Sequence, residues 1–127
     1  MNIEGLMRTA YNHKEPSNLY ILYWISVPQH HNTHQGYVGV TGLTEVGLGM
    51  RYMVELDEVK RGKRTSRTVH KNMLYYQKSV TISIIGKNLT REQAYLLENV
   101  LRPNDNTGTD FNSYNWNEVK GGKTLNV

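Results

Sequence analysis

The chain has no cysteine, so it can form no disulfide framework, no thiolate zinc site and no cysteine nucleophile, and any metal must be held by oxygen or imidazole. It also lacks an apolar run near the roughly 20 residues that a membrane-spanning helix needs. The polar start Met1–Asn18 has no continuous apolar stretch of the secretory type, so membrane insertion and export are disfavoured and a cytoplasmic location is expected. Internal repeats, low-complexity tracts and Pro/Gly/Ser-rich linkers are missing as well. The 127 residues (14.7 kDa, mean hydropathy -0.61) are therefore expected to form one domain, 1–127, rather than a string of modules.

Acids are outnumbered: 15 Lys and Arg against 11 Asp and Glu give a net charge of +4, which tilts toward a polyanionic partner. The excess is local. Lys60, Arg61, Lys63, Arg64, Arg67 and Lys71 follow one another with no acid between them, and without that segment the chain would be slightly acidic. Such a block can displace counterions from a phosphate backbone; equally, it can be a solvated loop that keeps the protein soluble.

Periodicity orders the elements. Leu19–Val27 is dense in aromatic and β-branched residues and stops at Pro28, as a strand buried on both faces should. Gly36–Thr41 is a second strand, joined to the first through Gln29–Gln35 as an antiparallel hairpin. Met50, Met53 and Val54 place a helix over Gly49–Lys60, after a turn spanning Gly42–Gly49. Ser66 can cap a second helix carrying Val69, Met73 and Tyr76, and Val80–Ile85 alternates as a half-buried third strand. Thr90 and Gln93 form a capping box for a last helix with Ala94, Leu97 and Leu101 on one stripe, ending before Pro103. An irregular tail packs back through Phe111, Tyr114 and Trp116, and Ile3–Asn12 forms a short opening helix. The expected fold is α+β, a three-stranded antiparallel sheet flanked by helices.

Ile21-Leu22-Tyr23 in the first strand and Tyr37-Val38-Gly39 in the second are followed by Glu98 on the last helix, Leu101-Arg102-Pro103, Trp116-Asn117 and Gly121-Gly122. In this order and spacing, from about Tyr20 to Lys123, the chain resembles the GIY-YIG nucleases. Ile21, Leu22 and Val38 stand where the name-giving letters differ, so the conjunction with the glutamate helix and the Trp-Asn-Gly-Gly end carries the specificity. The resemblance implies a metal-dependent endonuclease that hydrolyses DNA phosphodiester bonds, with Tyr23 as base, Tyr37 as its partner or proton relay, and one magnesium or manganese ion at Glu98. It further implies an arginine over the phosphoryl oxygens, for which Arg51 is the first candidate and Arg61 the reserve. Asn117, or its neighbour Asn115, would orient the site.

Each of these residues has a plainer role available. Tyr23 and Tyr37 can be strand aromatics with satisfied hydroxyls, and a phenol with a free pKa near 10 serves as a base only if a cation or bound metal brings it down to about 7 to 8. Glu98 falls at the edge of the apolar stripe, where it can hold a metal or simply pair with Arg102 one turn on. Relatives place a histidine or tyrosine one turn after the arginine, where this chain has Glu55; His70 can take that part, as proton donor or phosphate contact, or be a surface histidine beside Lys71. His30, His31 and His34 invite a zinc site, but no fourth ligand is at hand, so solvation or phosphate contact is expected of their loop. The basic segment would grip DNA. With no added DNA-reading module, specificity would be loose, or come from a homodimer or a partner protein. The remaining alternative is an accessory protein that binds nucleic acid without cutting it. A stand-alone nuclease of this size suits a bacterial virus or mobile element, acting in the host cytoplasm.

Overall fold

The computed structural model describes residues 19–63, 67–102 and 116–117. Expectations that fall on Ile3–Asn12, Arg64, Ser66, Phe111, Tyr114 and Asn115 lie outside the described residues. The elements run β1 (Tyr20–Ser26), β2 (Tyr37–Thr41), α1 (Glu45–Lys60), α2 (Thr68–Tyr75), β3 (Thr81–Leu89) and α3 (Arg91–Leu101). The strands form one antiparallel sheet in the order β2-β1-β3, and with its helices this is the α+β architecture expected.

β1 is central because both its faces are covered: Ile21, Leu22 and Ile25 are buried. It pairs with β2 in the register Tyr23 to Gly39 and Ile25 to Tyr37, so Tyr23, Ile25, Tyr37 and Gly39 share one face. Its pairing with β3 is irregular on either side of Leu22, immediately before Tyr23. On the face of Ile25 the core gathers Val27, Val59, Val69, Met73, Val80 and Trp116, which joins α1 and α2 to the sheet and brings in the tail. α3 touches all three strands.

The hairpin loop is more ordered than a solvated connection. Gly36 has φ +76°, the left-handed region open to glycine, and a β-carbon there would overlap the Ile25 carbonyl oxygen and stand 2.9 Å from Trp24 Nε1. Its carbonyl accepts from the Trp116 backbone N–H (2.9 Å) and from Asn117 Nδ2 (3.2 Å), which ties the tail to the start of β2. His30 corrects the expectation for the loop histidines, for it is buried where His31 and His34 are exposed or nearly so. Its Nδ1 accepts from the Val27 N–H (3.2 Å), and its ring meets Trp116 edge-on with centroids 4.8 Å apart. A ring engaged in this way is a packing residue rather than part of a shared metal site. Among the described residues no group of three or more His, Cys, Asp or Glu is placed to hold a metal.

Three further boundaries differ from expectation. α1 starts at Thr44, whose Oγ1 accepts from the Gly47 N–H (3.2 Å); this cap draws Glu45–Leu48 into the helix despite the cost of its glycines. β3 runs on to Leu89, with Val80 buried just before the strand and Ile84 exposed within it. The N-cap position of α2 is Arg67, which makes no side-chain cap bond. The Thr90–Gln93 capping box of α3 is as expected, with both reciprocal bonds in place (3.0 and 3.2 Å). The residues of α3 that face inward are Ala94 and Glu98, while Leu97 is exposed. Among the described residues, no helix is long and apolar enough to cross a membrane.

Burial, and secondarily His31, lower the His30 pKa below the ordinary value of about 6.5. The unfolded chain then takes up this proton more readily than the folded one, so the contribution is complete above about pH 6.5 and declines as acid protonates Nδ1 and breaks its bond to Val27. Urea unfolding at pH 7.5 and pH 5 should show a loss of stability in acid that is smaller in His30→Gln.

Candidate active site

Strand pairing sets the two phenols side by side. Tyr23 and Tyr37 have ring centroids 6.2 Å apart at 41°. The Tyr23 ring lies across Gly39, where a β-carbon would overlap its hydroxyl and ring carbons. The glycine therefore makes the space that the phenol occupies.

Around this pair the structure brings together residues that the chain order scatters. Arg102 sends Nε (2.9 Å) and Nη2 (2.6 Å) to the Val38 carbonyl, and its guanidinium lies 5.1 Å from the Tyr37 ring centroid. Its Nη2 also stands 3.4 Å from Glu98 Oε2. Glu98 is buried at 7% exposure, which corrects its expected half-sheltered place: the line Ala94–Glu98–Arg102, four residues per step, faces inward in place of the apolar stripe. Arg67 Nη2 donates to the Tyr37 hydroxyl (3.3 Å), and its guanidinium sits 5.5 Å from the same ring. Tyr37 is thus flanked by two guanidiniums.

α1 adds Arg51 and, one turn on, Glu55, both partly buried and both acting electrostatically on Tyr23. His70, from α2, is buried rather than on the surface, with Nε2 3.4 Å from Glu55 Oε1. It thereby reaches the offset at which Glu55 stands. Asn117 is buried and braces β2 from its edge: Oδ1 accepts from the Val38 N–H (3.0 Å) while Nδ2 donates to Gly36. Arg61, the reserve for the catalytic arginine, is exposed and paired with Asp57 at 2.9 Å, so Arg51 is the one brought to the phenols. Lys60, Arg61, Lys63 and Lys71 are exposed outside this cluster; of the basic segment, only Arg67 is seen to enter it among the described residues.

Electrostatics runs against a pre-ionised Tyr23. Burial pushes its phenol well above the ordinary value, Tyr37 and Glu55 push it further, and Arg51 and Arg102 offset this only in part. The downward shift required of a free-standing base is thus not supplied by these side chains. Tyr52, whose hydroxyl has no hydrogen-bond partner among the described residues, is pushed up to about 12 by burial and then by Glu55. For Arg67 burial works against the charged form, but Tyr37, Glu55 and Tyr23 outweigh it and raise its pKa.

As a metal donor set, the buried Glu98 carboxylate beside Arg102 offers hard oxygen, with no group of three or more acids or histidines gathered to hold a metal among the described residues. That chemistry fits a magnesium or manganese ion that takes one carboxylate from the protein and its other ligands from solvent and phosphate. Arg102 donates to the Val38 carbonyl and also stands 3.4 Å from Glu98 Oε2, so a metal at Glu98 would sit beside a guanidinium.

Comparisons with protein-family models, curated proteins and solved structures return no match.

The members missed in the sequence are Arg102 and Arg67 as companions of Tyr37, and Glu55 as a neighbour of Tyr23. The four-residue steps Arg51–Glu55 and Glu98–Arg102 were visible signals for two of them. Replacing Gly39 by alanine should displace the Tyr23 ring at a cost of about 1–3 kcal/mol. Urea unfolding and the near-ultraviolet tyrosine dichroism of Gly39→Ala check this, with both expected to change.

Proposed function

We propose that the chain is a GIY-YIG-type endonuclease that hydrolyses DNA phosphodiester bonds with magnesium or manganese. The observation that carries this is the meeting of the two strand phenols, a helix-borne arginine and a buried carboxylate at one place. Its basis in sequence is the order of the motifs from Tyr23 to Asn117.

In this reading the small ionised fraction of Tyr23, as phenolate, aligns a water with the phosphorus and takes its proton to become the neutral phenol, which then passes a proton by way of Tyr37 to solvent. The water oxygen bonds to phosphorus as the 3′ oxygen leaves, takes a proton from solvent and becomes a 3′-hydroxyl, with the phosphate remaining on the 5′ side. Arg51 balances charge on the phosphoryl oxygens. Glu98 would hold the metal, which when bound supplies positive charge at the phosphate and the departing oxygen. Asn117 and Arg102 keep β2, and therefore Tyr37, in place. His70 fixes Glu55 near Tyr23. Lys60, Arg61, Lys63, Arg64 and Lys71 would follow the DNA backbone. The setting would be the cytoplasm, in a host cell if the source is a virus or mobile element, with specificity from a second copy or a partner protein.

A second reading, an accessory protein that binds nucleic acid without cutting it, draws support from the upward shift of Tyr23 and from Glu55 one turn after Arg51. Supercoiled plasmid separates the two. Nicking or linearisation with magnesium, none with chelator, and a loss of about 100-fold or more in Tyr23→Phe and Glu98→Gln with DNA binding retained support the nuclease. Binding without cleavage in every divalent ion tested establishes the accessory reading.

A buried phenol is ionised only in small part at neutral pH, and that part grows with alkalinity. The single-turnover rate should therefore rise roughly tenfold per pH unit between pH 7 and pH 9. A flat profile over that range removes Tyr23 as the base.

A further inference from the structure

We propose that Arg67 is a catalytic residue that grips the phosphate under attack together with Arg51, rather than one more contact of the basic segment to the DNA backbone. The inference deepens the nuclease reading and rests on it.

Three guanidiniums, those of Arg51, Arg67 and Arg102, surround the two phenols, against the two carboxylates of Glu55 and Glu98. Their commitments differ. Arg102 is buried, bonded twice to the Val38 carbonyl and next to Glu98, so its charge and donors serve the scaffold. Arg61 is neutralised by Asp57 and Lys87 by Glu45. For Arg51 and Arg67, no carboxylate lies within ion-pair distance among the described residues.

Arg67 spends one donor on the Tyr37 hydroxyl at 3.3 Å and is otherwise exposed, so a phosphate can reach its planar fork. The hydroxyl it touches belongs to the partner of Tyr23, which puts the guanidinium beside the reacting groups rather than out on the helix surface. Arg51 reaches the phenols from α1 and Arg67 from the start of α2. The two charges therefore approach the pair from different elements, as a clamp on a single anion requires.

The experiment compares Arg67→Ala, Arg67→Lys and Lys78→Ala with the parent protein, each confirmed folded by thermal melting. At saturating DNA, Arg67→Ala should cut about 100-fold more slowly. Arg67→Lys, with the charge but not the fork, should recover only part of the loss. Lys78→Ala, at an exposed lysine outside the basic segment and away from the phenols, should cut at the parent rate. An Arg67→Ala protein that cuts at the parent rate once DNA is saturating overturns the assignment. Inorganic phosphate supplies an arm independent of cleavage: it should shift the Tyr37 ring resonances of the parent and leave those of Arg67→Ala in place. Equal shifts in both proteins overturn the proposal. If the parent cuts no DNA yet phosphate distinguishes the two, the nuclease reading fails while Arg67 stands as a phosphate ligand.

Discussion

The register of β1 against β2 is the constraint on which the rest depends. With Tyr23 opposite Gly39 and Ile25 opposite Tyr37, both phenols project from the face that α1 and α2 cover, and the aliphatic side of the same pairing closes the core. A slip of one residue would send one phenol to the other face and separate the pair. Two glycines enforce the register from opposite ends. Gly39 leaves the volume the Tyr23 ring fills, and Gly36 makes the left-handed step that no other residue adopts comfortably against the Ile25 carbonyl.

Within that frame the charges compete. Burial raises the Tyr23 phenol more than Arg51 and Arg102 lower it, and Glu55 sides with burial. The resting arrangement thus holds the phenol neutral while stationing positive charge around it, a compromise between a stable interior and a reactive one. Fresh positive charge brought by a ligand would act where the existing balance is closest to being tipped. Glu55 belongs to this balance: it touches His70, raises Tyr23 and Tyr52, and helps retain the proton of Arg67.

Much of the fold was legible because local signals and tertiary demands agree. The apolar density of β1, the glycine-flanked β2 and the Thr90–Gln93 capping box each name their element without help from the rest of the chain. The start of α1 was not legible, since Gly47 and Gly49 read as a turn until the Thr44 cap is seen to overrule them. At the site, periodicity placed Glu98 on a helix but not in the interior. An apolar stripe through Ala94, Leu97 and Leu101 was the simpler pattern, and only contact with Arg102 turns the charged line inward. The place of Arg67 depended on how the start of α2 meets Tyr37, a tertiary contact that residue spacing does not encode.

Val38 holds a consequence for the protein outside any reaction. β2 is an outer strand, and outer strands offer free amides and carbonyls to passing chains. At Val38 both groups are already taken, the amide by Asn117 and the carbonyl by Arg102, from 79 and 64 residues further along. At that position side chains occupy the groups with which another molecule's backbone would otherwise pair. On the far margin β3 achieves a similar end by other means, with charged Lys87 and the left-handed Asn88 (φ 59°) interrupting the flat run that stacking needs. Asn117 and Arg102, which brace the strand of Tyr37, thus also take the edge groups through which β2 could pair with another chain at Val38.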